Sequence, residues 1–467
     1  MECAIQQVFD RLRAKRWVVA ERSPADRVAH LERLKRAVLE RSDALASAVH
    51  ADFGRHPAET EIIELQPTIG ELTHAIRHLP DWMRAVRQPS SWALAGSQAE
   101  IRYEPRGVVL ILGPWNYPIN LMLAPLLSAV AAGNCVVLKP SEKAPRTGEA
   151  VAALVASVFA DDEVACVLGG SDVAEALLTL PFDHFFFSGS GAIGRVVMRA
   201  AAGHLASVTL ELGGKSPVIV HEDAAIEMAS ERIAWGKFVN AGQTCIAPDY
   251  VLVHERCASA FVQHTARALG RLSAPSGSEQ PSSLCRIVDH EAWQRLTASL
   301  DATVGAGARL ESGGGASEAD CRIEPTIVTH VTGDAPLMRD EIFGPILPVL
   351  TYSSLDEAIA FIRARPQPLA LYVFSRSRTV FERVVQHTTA GGSVWNNVLL
   401  QFANPYLPFG GVGASGSGSY HGSFGFRAFS HERAILRQGR ISWMKLFYPP
   451  YSARTIRRLK WVRRMMG

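Results

Sequence analysis

The stretch GVVLILGPWNYPINLMLAPLLSAVAAGNCVVL, residues 107–138, contains no charged side chain. It is long enough to cross a bilayer as one helix. Pro114, Pro118 and Pro125, with Gly113, Asn116 and Asn120, rule that helix out, because proline offers no N–H and clashes with the preceding turn. The reading that fits is a buried strand over residues 108–112, a loop, a short helix over about 120–132 and a second buried strand over 135–138. Two apolar strands joined by a helix form a parallel unit covered on both faces. The fold class is therefore α/β.

The same alternation continues outward. Before residue 85, Leu31, Leu34, Val38, Leu45 and Val49 recur at helical spacing. A strand and turn over 101–107 lead into the apolar stretch. After it come a helix near 147–159, a strand at 165–168, a helix near 173–180 and a strand at 185–187. A second series has strands at 217–220 and 250–254 around a helix over about 224–238. The break between the two series falls near 209–213. The chain therefore divides into a first α/β unit over 1–210 and a second over 211–405, followed by 406–440 and a basic tail over 441–467. The Gly/Ser/Pro-rich stretches 273–283 and 312–317 read as surface loops.

At 467 residues the chain needs two or three domains. Its 48% hydrophobic and 20% charged residues and mean hydropathy of +0.07 are those of a soluble globular protein. A net charge of +3 argues against a nucleic-acid-binding face. Cysteines 3, 135, 166, 245, 257, 285 and 321 are odd in number and show neither C-x-x-C nor a His–Cys cluster. That pattern argues against a disulfide framework or a metal site, and for a reducing compartment. With no secretory signal at the N-terminus, the expectation is a cytoplasmic protein.

Five stretches could carry chemistry. Cys245, in Asn240-Ala241-Gly242-Gln243-Thr244-Cys245, has small and polar neighbours that leave room for an incoming carbon and offer N–H dipoles that favour the thiolate. Alternatively it is a buried structural cysteine. Glu211, between apolar residues and before Gly213-Gly214, is either a desolvated base or a salt-bridged strand end. Gly189, Gly191 and Gly194, with Ser188 and Ser190, make a strand-to-helix turn whose N–H groups could face a phosphate. An unliganded turn fits the same residues. Lys139 and Glu142 follow a buried strand, where α/β sheets bind ligands, or are a solvated exit. Asn116, in a proline-rigid loop, could donate to an oxyanion or merely satisfy the turn.

Taken together, Pro114-Trp115-Asn116-Tyr117-Pro118, Leu138-Lys139-Pro140-Ser141-Glu142, Glu211-Leu212-Gly213-Gly214-Lys215, Gly242-Gln243-Thr244-Cys245 and Glu341-Ile342-Phe343-Gly344-Pro345 resemble, in order, the motifs of aldehyde dehydrogenases. Cys245-Ile246-Ala247-Pro248-Asp249-Tyr250 and Leu407-Pro408-Phe409-Gly410-Gly411 look like the class 3 branch. The resemblance runs from about residue 5 to about 450. It implies two parallel-sheet α/β domains, one binding the dinucleotide over 1–210 and one catalytic over 211–405, with a small oligomerisation element near 86–102, a return of 406–440 to the cofactor and oligomerisation region, and a homodimer. It also implies that Cys245 attacks the aldehyde, that Asn116 and the Cys245 N–H hold the oxyanion, and that Glu211 activates the hydrolytic water. Lys139 and Glu142 would address the adenosine ribose, Ser188 to Gly194 the pyrophosphate, and Glu341 and Phe343 the nicotinamide end. The cofactor would be NAD, with NADP left open, and no metal is required.

By the same resemblance Tyr117, Trp235 and Phe409 would line a tunnel for medium- or long-chain aliphatic or aromatic aldehydes, with ordinary packing as the alternative. Residues 399–406 depart from class 3 relatives, which leaves the tunnel's shape open. Residues 453–467 carry six Arg and Lys residues and no acid, with Ile456, Leu459, Val462 and Met466 at helical spacing and Trp461 among them. That pattern suits a membrane surface, or a helix capping a partner or the substrate entrance. Two rival functions are a cofactor-free thiol esterase and a catalytically silent membrane-docked scaffold.

Overall fold

The computed structural model describes residues 2–90, 94, 96–272, 284–440 and 448–466. The loop expected at 273–283 and the start of the tail at 441–447 lie outside the described residues. Within 107–138 the strand Val108–Leu112, the helix Asn120–Ala132 and the strand Cys135–Lys139 take the places the prolines dictate. Pro125 lies inside that helix, and Gly133, at φ +90°, ends it. L side chains rarely adopt that angle, so glycine suits the cap.

These strands belong to a six-stranded sheet. Its spatial order is Val164–Cys166, Cys135–Lys139, Val108–Leu112, His184–Gly189, Ser207–Leu212 and the short Gly416–Ser417. The first five are parallel, and Gly416–Ser417 is antiparallel to its neighbour. The chain builds outward from Val108–Leu112 in one direction and then resumes on its other side at His184–Gly189. A crevice opens at the carboxyl ends of the strands where the order reverses, and dinucleotides bind there in such sheets.

A second sheet of seven strands runs in the order Arg309–Ser312, Thr326–Thr329, Ile346–Tyr352, Tyr250–His254, Pro217–Val220, Ala370–Phe374 and Gly392–Trp395. All neighbours are parallel except Arg309–Ser312, which sits antiparallel at the edge. Residues 312–317 are therefore not a plain surface loop. Ser312 closes the edge strand, and Ala316–Ser317 pairs with Arg322–Ile323 around Gly313 and Gly314 at positive φ. A third sheet joins Val86–Gln88, Ser97–Pro105 and Ser430–Gln438 in antiparallel register, largely exposed.

The N-terminal helices bury Leu31, Leu34, Val38, Leu45 and Val49, the residues whose spacing marks them. Between helices Pro57–Thr60 and Gln66–Trp82 the chain makes one π-helical turn, Glu61–Leu65. Such single turns are uncommon and often accompany functional sites. Here it puts Ile62 and Ile63 on the cavity described below and buries Glu64 behind it.

Candidate active site

The helix Ile226–Phe238 leads into a tight turn that presents Cys245. Asn240 (φ 53°), Ala241 (φ 51°) and Gly242 (φ 74°) are consecutive left-handed residues. A side chain at Gly242 would overlap the Gly344 carbonyl, so the turn both requires glycine and touches the Glu341–Pro345 motif. Two non-glycine residues in this region carry strain, which surrounding contacts must hold.

Sequence reasoning missed those contacts. Arg55 is 1% exposed and reaches three segments. It donates to Glu64 Oε1 at 2.5 Å, to the Asn116 carbonyl at 2.5 Å and twice to Asn240 Oδ1, at 2.7 and 3.1 Å. The second Glu64 oxygen accepts from the N–H groups of Ile119 (2.7 Å) and Asn120 (3.0 Å). Glu59 takes the Asn240 N–H at 2.8 Å. Burial works against the Arg55 charge, and Glu64, with smaller contributions from Cys285, Tyr117 and Glu59, more than offsets this, holding its pKa above the ordinary value. The network ties the Asn116 loop, the π-helical turn and the approach to Cys245 into one piece.

Asn116 is buried, and its Nδ2 donates to the Gln243 carbonyl at 3.1 Å, which orients the amide toward the cysteine loop. Tyr117 Oη and Thr244 Oγ1 are 2.5 Å apart, joining the two loops again. Cys245, Tyr117, Trp235 and Phe409 line one cavity of about 800 Å³, counting its open mouth. The remaining wall is nearly all apolar: Ile62, Pro67, Leu121, Ile246 and, from the divergent 399–406 stretch, Leu399, Leu400, Phe402 and Ala403. That stretch forms a short 3-10 turn after Leu399, which sits at φ 65°.

Glu211 is 4% exposed, and neither carboxyl oxygen has a hydrogen-bond partner among the described residues. It is not a salt-bridged strand end. Burial raises its pKa well above the ordinary carboxyl value. Cys245 differs from the expectation that N–H dipoles would favour its thiolate. Burial, then the Glu341 and Glu211 charges, push the thiol up to about 12, and the Cys245 and Ile246 N–H groups only partly oppose this.

The third motif comes in from the other side. A side-chain carbon at Gly213 would overlap the Glu341 carboxylate, and the Gly214 N–H points to that group. Burial and the Asp249 charge raise Glu341 to about 8, against the pull of that N–H and of Lys215 and Lys237. Lys215 pairs with Asp249 and donates to the Leu337 (2.9 Å) and Asp340 (2.8 Å) carbonyls, while Asp249 accepts the Ile342 N–H at 2.9 Å. One ion pair therefore joins two of the five motifs, Glu211 to Lys215 and Glu341 to Pro345, to the stretch that follows Cys245. Lys237, fully buried nearby, is lowered by burial to about 8. Phe343 meets Trp115 edge-on at 5.5 Å.

The carboxyl ends of the first sheet hold the remaining candidates. Lys139 is buried and donates to Glu142 at 2.8 Å, while the Glu142 carboxylate is about half exposed. Burial opposes the Glu142 charge, but Lys139 more than compensates and keeps its pKa low. Ser188 and Gly189 end the strand, and Ser190 caps the helix Gly191–Gly203 through the Ile193 N–H. A side chain at Gly194 would strike Leu212, so this glycine lets the helix lie close on the sheet. Unfilled backbone around a helix start, beside a lysine–carboxylate pair at a strand-order reversal, fits a dinucleotide. Among the described residues no three His, Cys, Asp or Glu side chains are grouped to hold a metal ion. All seven cysteines are free.

A cysteine on an apolar cavity, an unpaired buried carboxyl within its electrostatic reach and a dinucleotide crevice on the adjoining sheet define a thiol-dependent oxidoreductase. The comparisons narrow this. The family model described as the aldehyde dehydrogenase family matches residues 4–435. Human aldehyde dehydrogenase family 3 member B1 is 43% identical over 439 residues, covering 93% of this chain and 92% of that one. The 4,4'-diaponeurosporen-aldehyde dehydrogenase of Staphylococcus aureus is 40% identical over 428 residues, covering 92% of each. The solved substrate-bound S. aureus AldH superposes with a TM-score of 0.92 at 39% identity, over 98% of both chains. The chain belongs to the aldehyde dehydrogenase family, and its α/β architecture is that family's. It is an NAD(P)-dependent enzyme that oxidises an aldehyde. An aldehyde dehydrogenase of Mycobacterium tuberculosis with this fold was solved with NAD+ bound, at 26% identity and a TM-score of 0.86 over 93% of this chain and 90% of that one.

Proposed function

We propose that Cys245 is the nucleophile and Glu211 the base in oxidation of a medium- or long-chain aliphatic or aromatic aldehyde to its acid. The observation that carries this is a buried, unpartnered Glu211 carboxyl within electrostatic reach of a thiol that opens onto an apolar cavity. Freed of its proton, the Cys245 sulfur adds to the aldehyde carbon and gives a thiohemiacetal. The Cys245 N–H and the second Asn116 N–H hold the oxyanion. When bound, the dinucleotide supplies the acceptor for the hydride that leaves this carbon. The thioester left on Cys245 is hydrolysed by a water that Glu211 deprotonates, returning the thiol and releasing the acid.

Lys139 and Glu142 would hold the adenosine ribose, Ser188, Gly189, Ser190 and Gly194 the pyrophosphate, and Glu341 and Phe343 the nicotinamide end. A Glu142 carboxylate accepts from ribose hydroxyls and repels a 2′-phosphate, which favours NAD, while Lys139 softens that preference. We assign residues 1–210 to cofactor binding and 211–405 to catalysis, with 406–440 returning to the first sheet. The exposed edge Ser430–Gln438 of the three-stranded sheet supports a homodimer, since an unpaired edge is a template for another strand.

The tail helix Ala453–Met466 leaves Ile456, Leu459 and Trp461 exposed among its basic residues. Among the described residues no helix is long and apolar enough to cross a membrane. Contact with an anionic membrane surface is the reading this favours, and vesicle sedimentation with and without residues 453–467 tests it. For the chemistry, absorbance at 340 nm across an aldehyde panel, with NAD and NADP in parallel, should show reduced cofactor and an optimum for apolar chains or aryl groups. No reduced cofactor from any aldehyde, in folded protein with a titratable Cys245, would sink the proposal and favour a silent scaffold.

A further inference from the structure

One buried carboxylate–imidazole pair on the cavity wall is left unused by this chemistry. His421 lines the cavity with Cys245 and is 4% exposed. Its Nδ1 lies 3.4 Å from Oε2 of Glu71, itself 6% exposed on helix Gln66–Trp82. The other Glu71 oxygen accepts the Gly422 N–H at 2.5 Å. Burial opposes the Glu71 charge, yet His421 and the Gly422 N–H hold its pKa below the ordinary carboxyl value.

Two aromatic neighbours hold the ring. It stacks on Tyr420 with centroids 4.2 Å apart and meets Phe409 edge-on at 5.5 Å. To put it there, His421 adopts φ 76°, a region that a non-glycine residue enters at a cost. Nδ1 has no closer polar partner among the described residues than this Glu71 oxygen, so the carboxylate is what orients it. An imidazole placed this way among Ile62, Ile63, Pro67, Leu121 and Phe402 is an expensive polar group in an apolar wall. Packing alone would be served better by a phenyl ring.

We propose that the Glu71–His421 pair is a specificity site that accepts a hydrogen bond from a hydroxyl carried on the substrate away from its aldehyde carbon. A carboxylate facing Nδ1 keeps the proton on that nitrogen and leaves the lone pair on Nε2. The matching ligand is therefore a donor: a phenolic or aliphatic O–H. An ether oxygen, which only accepts, does not match. The inference rests on the proposed oxidation of aldehydes bound in this cavity, and deepens it.

The test compares kcat/KM for hydroxylated aldehydes with their unsubstituted and methoxylated counterparts, in the wild-type enzyme, His421→Phe and Glu71→Gln. Dividing the wild-type ratio by the variant ratio cancels intrinsic reactivity. Loss of one hydrogen bond should lower the hydroxy-to-parent ratio by about five- to tenfold in His421→Phe. Glu71→Gln should lower it by less, and the methoxy-to-parent ratio should not move. A ratio unchanged in His421→Phe overturns the proposal. The wild type alone gives a second measurement that needs no folded variant. In ω-hydroxyalkanals, where the hydroxyl is electronically remote from the carbonyl, one chain length should be preferred over its alkanal. No such preference at any length, with the alkanals themselves oxidised, overturns the inference and leaves the parent reading standing. No oxidation of either series overturns the parent reading with it.

Discussion

Arg55→Met cuts the network that holds the cysteine loop. The substitution keeps much of the side chain's length and removes every donor. Glu64 is left as a buried carboxylate with two N–H partners and no counter-charge, and Asn240 Oδ1 loses both Arg55 contacts. Removing one partner of a buried ion pair costs about 3–5 kcal/mol. Unfolding entropy of about 2.1 cal/mol/K per residue gives roughly 1 kcal/mol/K for this chain, so Tm should fall by about 3–5 °C if it melts as one unit. The Asn116 carbonyl and the strained Asn240–Gly242 turn would also relax, and a misplacement of about 1 Å near reacting groups costs on the order of 10²-fold in rate. Differential scanning calorimetry and steady-state NADH formation read the two effects. Arg55→Lys keeps the charge but gathers its donors on one nitrogen at the end of a shorter chain, without the planar fork that spans the three acceptors, so it should recover most of the Tm loss and less of the rate. A Tm within 1 °C of wild type (a shift of less than about 1 kcal/mol), with kcat unchanged, refutes the reasoning.

Two further expectations follow from the carboxylates. Glu211 has its folded pKa raised, so the native state keeps a proton that the unfolded chain gives up near 4.5. The stability this provides is full below that pH and is lost as pH rises toward the folded pKa. Glu211→Gln should therefore gain Tm relative to wild type as pH goes from 5 to 8; a gap that is flat or shrinks with pH contradicts the burial argument. Glu142→Gln removes the carboxylate that would repel a 2′-phosphate, and should raise the NADP-to-NAD ratio of kcat/KM by about tenfold, the equivalent of one charge interaction of ~1.4 kcal/mol. Initial rates with both cofactors check it, and an unchanged ratio would remove Glu142 from the ribose site.

Much of the fold could be read locally because its signals are local. Proline and glycine punctuate residues 107–138, and strands buried on both faces stay apolar throughout, so elements such as Val108–Leu112 and Pro217–Val220 fall where composition puts them. The five motifs likewise carry their candidates within a few residues of each other. What remained illegible depends on distant partners. Arg55 is an unremarkable arginine until folding brings it to Asn240, 185 residues away. Glu71 meets His421 and Gly422 only on folding, the last from 351 residues away, and the π-helical turn Glu61–Leu65 has no sequence signal. The Cys245 thiol was misjudged for the same reason. Its neighbours in sequence are small and polar, but tertiary burial and two carboxyls from other segments set its pKa. The turn at 312–317 reads as loop because glycine-rich composition does not report pairing with Arg322–Ile323.

The central claim is that Cys245 carries the acyl group and Glu211 is needed only to release it. The most direct measurement is intact and peptide mass spectrometry of Glu211→Gln quenched after one turnover with aldehyde and NAD, alongside the NADH released. The account predicts about one NADH per active site in a burst, followed by a stall, with an acyl adduct mapped to Cys245. No burst and no adduct, or an adduct on another cysteine, would contradict it.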